Sequence, residues 1–93
     1  MIQGWKSEVA RLVFEGESPK RFPSDLLKSV RRRLSQLDAA ERIEDLKSPP
    51  ENRLHLLTGD REGQWSISVN AQFRICFVWT EVGPGGVEFL DYH

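Results

Sequence analysis

The sequence predicts an α+β fold, with N-terminal helices packed on one face of an antiparallel β-meander. Two observations carry that prediction. Apolar residues recur at helical spacing in the first half of the chain and at strand spacing in the second. The breakers divide the same way: Gly16, Pro19 and Pro49-Pro50 close helices, whereas Gly59 to Gly63 and Gly83 to Gly86 separate strands.

Each element has its own justification. Trp5, Val9, Leu12 and Val13 fall on one helical face, and Gly16 and Pro19 end that segment. Ser24 is the expected N-cap of a second helix, with Asp25 in its first turn. Leu26, Leu27, Val30, Leu34 and Leu37 then mark an amphipathic helix running to about Ala40. A short turn around Ile43 to Leu46 precedes the Pro-Pro stop. The first strand is Arg53 to Leu57. Gln64 to Val69 alternates, with Trp65, Ile67 and Val69 on one face. After a tight turn at Asn70-Ala71, Phe73 to Trp79 is nearly continuous apolar, as a strand covered on both faces is. Gly83-Pro84-Gly85-Gly86 reads as a turn, and Val87 to His93 as the last strand.

Composition narrows the function. A chain of 93 residues has room for one domain, spanning 1–93. With a single cysteine it forms no internal disulfide, and no Cys/His cluster has zinc-ligand spacing. No apolar run approaches the roughly 20 residues of a membrane span. Met1 to Lys6 lacks the apolar stretch of a signal peptide, so a reducing cytoplasm is the expected compartment. The formal net charge of −1 lacks the basic excess usual in nucleic-acid binders, so any such binding must rest on how charge is distributed.

That distribution is uneven. Lys28, Arg31, Arg32 and Arg33 crowd the second helix, as either a solvated face or a phosphate-tracking stripe. Arg53, Arg61 and Arg74 fall in the sheet half. Arg74 shares a strand face with Cys76 and Val78. It is either a strand-end Arg paired with Asp91 or Glu88, or a planar clamp for a phosphate. His55 points away from Leu54 and Leu56, and His93 ends the chain beside Asp91 and Tyr92. Taken singly, each reads as structural or frayed. Brought together with Arg74, two imidazoles suit acid–base phosphodiester chemistry. Cys76, flanked by apolar residues, reads as an inert thiol.

Three stretches carry a family resemblance: Arg53-Leu54-His55-Leu56-Leu57-Thr58-Gly59-Asp60-Arg61-Glu62-Gly63-Gln64-Trp65-Ser66-Ile67, Asn70 to Phe77 with its Arg74-Ile75-Cys76-Phe77, and the closing Asp91-Tyr92-His93. The chain resembles HigB-type toxins of the RelE/ParE superfamily of toxin–antitoxin systems. The resemblance implies a microbial-RNase-like α+β fold and ribosome-dependent cleavage of messenger RNA without a cofactor or metal. It implies a catalytic group of His55, Arg74, Asp91, Tyr92 and His93. For contact with RNA or the ribosome, the candidates are Arg61, Arg53, Arg31, Arg32 and Lys28. The implied partners are a HigA-type helix-turn-helix antitoxin, the 70S ribosome and messenger, with operator DNA reached only through the antitoxin. Thr58 stands where related toxins often carry a lysine. The alternative is a non-catalytic toxin of the same fold that poisons gyrase, as ParE-type relatives do; that activity would not need His55 with the Asp-Tyr-His terminus.

Overall fold

The structure, a computed structural model, describes residues 1–91. Tyr92 and His93, both named above, lie outside the described residues. The architecture is α+β, as the two periodicities predict. Helices α1 (Glu8–Phe14) and α2 (Leu27–Ala39) precede an antiparallel sheet of β1 (His55–Leu56), β2 (Trp65–Ser68), β3 (Phe73–Thr80) and β4 (Gly83–Asp91). The strand order β1-β2-β3-β4 is a meander.

The helices start differently from expectation. Trp5 lies outside α1, in an extended segment that bridges in parallel to Val87. The helix begins after Ser7, whose Oγ accepts the Ala10 N–H at 3.1 Å. Ser24 does not cap α2. It opens a tighter turn, Ser24–Leu26, which is preceded by Pro23, and no side chain caps it or α2. The backbone closes that turn instead, with the Leu26 N–H donating to the Pro23 carbonyl at 3.0 Å.

Val30, Leu34 and Leu37 of α2 are fully buried. They form one core with Val13 of α1 and with Ile67, Ile75, Phe77 and Val87 of the sheet. Phe89 extends this layer, stacking on Phe73 at 5.0 Å and packing against Phe22. The helices cover one sheet face only. On the other face Ser66 and Cys76 are still buried, but Val78 is 39% exposed, so β3 is not covered on both faces along its length.

The largest departure concerns Gly83-Pro84-Gly85-Gly86, which is strand and not turn. Gly83, Pro84 and Gly85 pair with Thr80, Trp79 and Val78, and the turn contracts to Glu81-Val82. Pro84 is tolerated because β4 is an edge strand. The N-terminal segment covers that edge: Gln3 donates to the Pro84 carbonyl at 2.7 Å, Lys6 to Val87 at 2.9 Å, and Val87 to the Gly4 carbonyl at 3.0 Å. Gly86 (φ 55°) and Val87 together oppose Phe77, a bulge with glycine in the left-handed region. The extra residue re-phases the strand. Without it Val87 would pair with Cys76; with it Val87 enters the core and Glu88 takes the place beside Cys76.

Gly83 adopts φ 129°, and a Cβ there would collide with the Met1 carbonyl oxygen. Gly83→Ala should therefore cost about 1–3 kcal/mol, read as a Tm lowered by several degrees. An unchanged melting curve would mean that the N-terminal segment contributes nothing to the fold.

Candidate active site

Directly paired residues in a sheet project to the same face. His55, Ser66, Cys76 and Glu88 therefore make one row across β1–β4, and Ser68, Arg74 and Leu90 make the next. Both rows lie on the face away from the helices. The alternation of β2 sets this arrangement, with Trp65 and Ile67 turned to the helices and Ser66 and Ser68 to the open side. The strand position of Arg74 and the pairing of β1 then bring a guanidinium and an imidazole to the same surface.

Ser66 lies between them. His55 is its backbone partner on β1, which places the two Cβ atoms about 4.5–5.5 Å apart. Arg74 Nη1 donates to Ser66 Oγ at 3.1 Å from the other side. His55 is exposed and Arg74 half-buried. The Arg74 side chain thus engages a hydroxyl in this face, and neither Asp91 nor Glu88 forms a salt bridge with it among the described residues.

His55 also lines a cleft of about 300 Å³ with Leu57, Thr58, Asp60 and Arg61. The Gly59–Arg61 turn carries Arg61 into this cleft, where Nη1 donates to Glu88 Oε1 at 2.7 Å and to Gln64 Oε1 at 3.1 Å. The ion pair is largely shielded on the Glu88 side. Its geometry fixes the guanidinium at the edge of the His55 row, a charge-assisted bond of the stronger kind. The bulge at Gly86 makes this pair possible, because it puts Glu88 on this face.

Burial raises the pKa of the Cys76 thiol above its ordinary value, with Arg61, Glu88 and Arg74 close enough to act on it electrostatically. Cys76 is thus protonated at neutral pH and inert, as its apolar flanks predict, although it lies under the open face and not in the helix-facing core. Alkylation by iodoacetamide should stay negligible in the native protein at pH 7.5 and proceed on unfolding, measured by mass shift. Rapid native alkylation would contradict this placement.

The remaining candidates are placed as follows. Asp91 is exposed, pairs with Phe73, and shares the strand parity of Phe89; it stands at the sheet's end, off the His55 and Arg74 rows. Its Oδ2 accepts from Gln72 Nε2 at 3.1 Å. The basic residues of α2 do not form a single stripe. Arg31 is turned to the end of α1, donating to the Val13 and Glu17 carbonyls at 3.1 and 2.8 Å. Arg33 is buried, while Lys28 and Arg32 face solvent. Arg53 is exposed just before β1, in the left-handed conformation at φ 46°. Sequence reasoning missed Ser66, and treated Glu88 only as an alternative partner of Arg74. The alternation Trp65-Ser66-Ile67-Ser68 held the signal for Ser66.

A helix layer on one side of a meander and an open face bearing imidazole and guanidinium on the other define the class that the three motif stretches point to. The chain belongs to the HigB-like toxins, RelE-like toxins of type II toxin–antitoxin systems, whose family model matches residues 5–93. It is 34% identical over 93 residues to the Endoribonuclease HigB of Proteus vulgaris, covering all of both chains. It is 41% identical over 94 residues to Toxin HigB-1 of Vibrio cholerae, covering all of this chain and 98% of that one. An uncharacterized protein of Haemophilus influenzae is 40% identical over 78 residues, covering 84% of this chain and 76% of the other. As a type II toxin, the protein has a cognate antitoxin for its partner. Among the described residues no helix is long and apolar enough to cross a membrane.

Proposed function

We propose that the protein is an endoribonuclease that cuts messenger RNA on the translating ribosome and so stops translation in the cytoplasm. One observation carries the reading: His55 and Arg74 flank Ser66 on a sheet face that no helix covers. The name of the Proteus relative supports the same activity.

The reaction is attack by a ribose 2′-hydroxyl on the adjacent phosphorus, without a metal. A base takes the 2′-OH proton, the O2′–P bond forms, and the P–O5′ bond breaks. An acid returns a proton to the leaving 5′-oxygen. The products carry a 2′,3′-cyclic phosphate and a free 5′-hydroxyl. His55 and His93 are the two proton-transfer groups. Arg74 holds the phosphate oxygens as charge builds on them. Asp91 orients His93 or an RNA group, and Tyr92 stacks on a base or donates its hydroxyl. Arg61, fixed by Glu88, lies on the strand's path beside His55. Lys28 and Arg32 contribute on the ribosome side by general charge attraction. A HigA-type helix-turn-helix antitoxin neutralises the toxin and carries the complex to operator DNA.

A messenger with a single 2′-deoxynucleotide at a mapped cut site tests the chemistry. Loss of that one cut, with neighbouring cuts intact and cyclic-phosphate ends elsewhere, is the expected result. Cutting at the deoxy position would exclude the 2′-hydroxyl as nucleophile.

A further inference from the structure

A second cleft, of about 540 Å³, opens at the C-terminal end of β2, lined by Arg33, Glu51, Arg53, Ser68 and Asn70 among others. Its chemistry centres on Arg33. This side chain leaves α2, is 5% exposed, and donates through Nε to the Ser68 carbonyl and through Nη1 to Ser29 Oγ at 3.2 Å. Both acceptors are neutral. Among the described residues no carboxylate comes within ion-pair distance of it. A guanidinium has five donors, and this buried one forms no ion pair among the described residues, so an anion entering the cleft would find donors and charge to meet it. Burial depresses the pKa of Arg33, the neighbouring Arg32 charge acts in the same direction, and Glu51 opposes them from a distance.

Arg53 lines the same cleft. Its backbone is left-handed, φ 46° and ψ 53°, a conformation that suits glycine and is unfavourable for arginine. Two residues further on comes His55, and Ser68 at the cleft is the β2 partner of Arg74. The cleft therefore meets the Arg74 row at Ser68 and lies two residues along the chain from His55. Glu51 on the rim attracts Arg33 without reaching it, and opposes an incoming anion.

We infer that this cleft is a phosphate subsite, in which Arg33 and Arg53 hold a backbone phosphate of the RNA strand next to the one being cut. The inference rests on the ribonuclease reading of the adjoining face. An acidic segment of a protein partner has the same charge. The continuity with the His55–Arg74 face favours RNA.

The test uses the full chain and an uncleavable single-stranded oligoribonucleotide, with a 2′-deoxynucleotide at the cut site, titrated at several salt concentrations. Arg53→Gly removes the guanidinium and relaxes the backbone, so its Tm should hold or rise. Its RNA affinity should nevertheless fall about 10-fold, and the slope of log affinity against log salt should flatten by about 0.7, one phosphate contact on a single strand. Arg33→Lys keeps a charge but loses the fork, and should weaken binding without changing that slope. Glu51→Gln should tighten binding. In parallel, messenger cleavage in a translating extract should be lost in His55→Ala. Unchanged RNA affinity and salt slope in Arg53→Gly and Arg33→Lys would overturn the subsite while leaving the ribonuclease reading intact. Weakened antitoxin binding with unchanged RNA binding would overturn it in favour of an acidic protein segment. A parent protein that cuts no messenger in the translating extract, or a His55→Ala variant that cuts it as well as the parent, would remove the ribonuclease reading itself, and the subsite with it.

Discussion

His55→Ala should lower messenger cleavage by about 10²–10⁴-fold, the contribution of one positioned proton-transfer group. The fold should be unaffected. His55 is exposed on the two-residue edge strand β1, outside the hydrophobic core, and a surface change of this kind stays within about 0.5 kcal/mol. The combination matters more than either half. A loss of activity with an unchanged Tm and an unchanged complex with the antitoxin assigns the imidazole to chemistry. A variant that retains full activity would take His55 out of the mechanism and leave Arg74 and the terminal residues as the only candidates.

Arg74→Ala should cost about 10²–10³-fold in cleavage, the range for removing one preorganised donor from a developing oxyanion. The reasoning is geometric. Arg74 Nη1 donates to Ser66 Oγ at 3.1 Å, so one arm of the guanidinium is already held on this face before any substrate arrives. Arg74→Lys should recover only part of the activity, because a point charge does not reproduce a two-pronged grip on phosphate oxygens. Ser66→Ala tests the positioning role separately. It should reduce the rate modestly while leaving messenger binding to the ribosome-bound toxin near that of the parent. Full activity in Arg74→Ala would show that this arginine serves the sheet and not the reaction.

The elements with strong periodicity were legible from residues alone. Val30, Leu34 and Leu37 on α2, and the alternation through Trp65, Ser66, Ile67 and Ser68, appear in the structure as the sequence pattern predicts. The side of each strand that His55 and Arg74 occupy was legible too, since strand parity follows from counting; that this side is open was not, because the apolar run of β3 reads as a strand covered on both faces. Their meeting at Ser66 was not, because it depends on the register of β1 on β2 and of β2 on β3. Gly83-Pro84-Gly85-Gly86 misled because a turn and a bulged edge strand call for the same residue types. The choice was made by the N-terminal segment, which is about eighty residues distant in sequence and bonds to that strand's outer edge. Ser24 misled because backbone bonds can close a helix start as well as a side chain can. Arg33 was hidden among four basic residues on one helix. Its burial depends on a carbonyl 35 residues away, which no local pattern reports. The role of the Asp91-Tyr92-His93 terminus came from resemblance, and Tyr92 and His93 lie outside the described residues.

The open face around His55 and Arg74 is proposed to cut messenger during translation. The most direct measurement adds purified protein to a translating cell-free extract and maps messenger ends, with His55→Ala and His93→Ala alongside. The expected result is cuts within coding sequence that appear only while translation runs and that are lost in both variants. Intact messenger in an extract whose protein synthesis continues would contradict it, and DNA gyrase would then be the target to test.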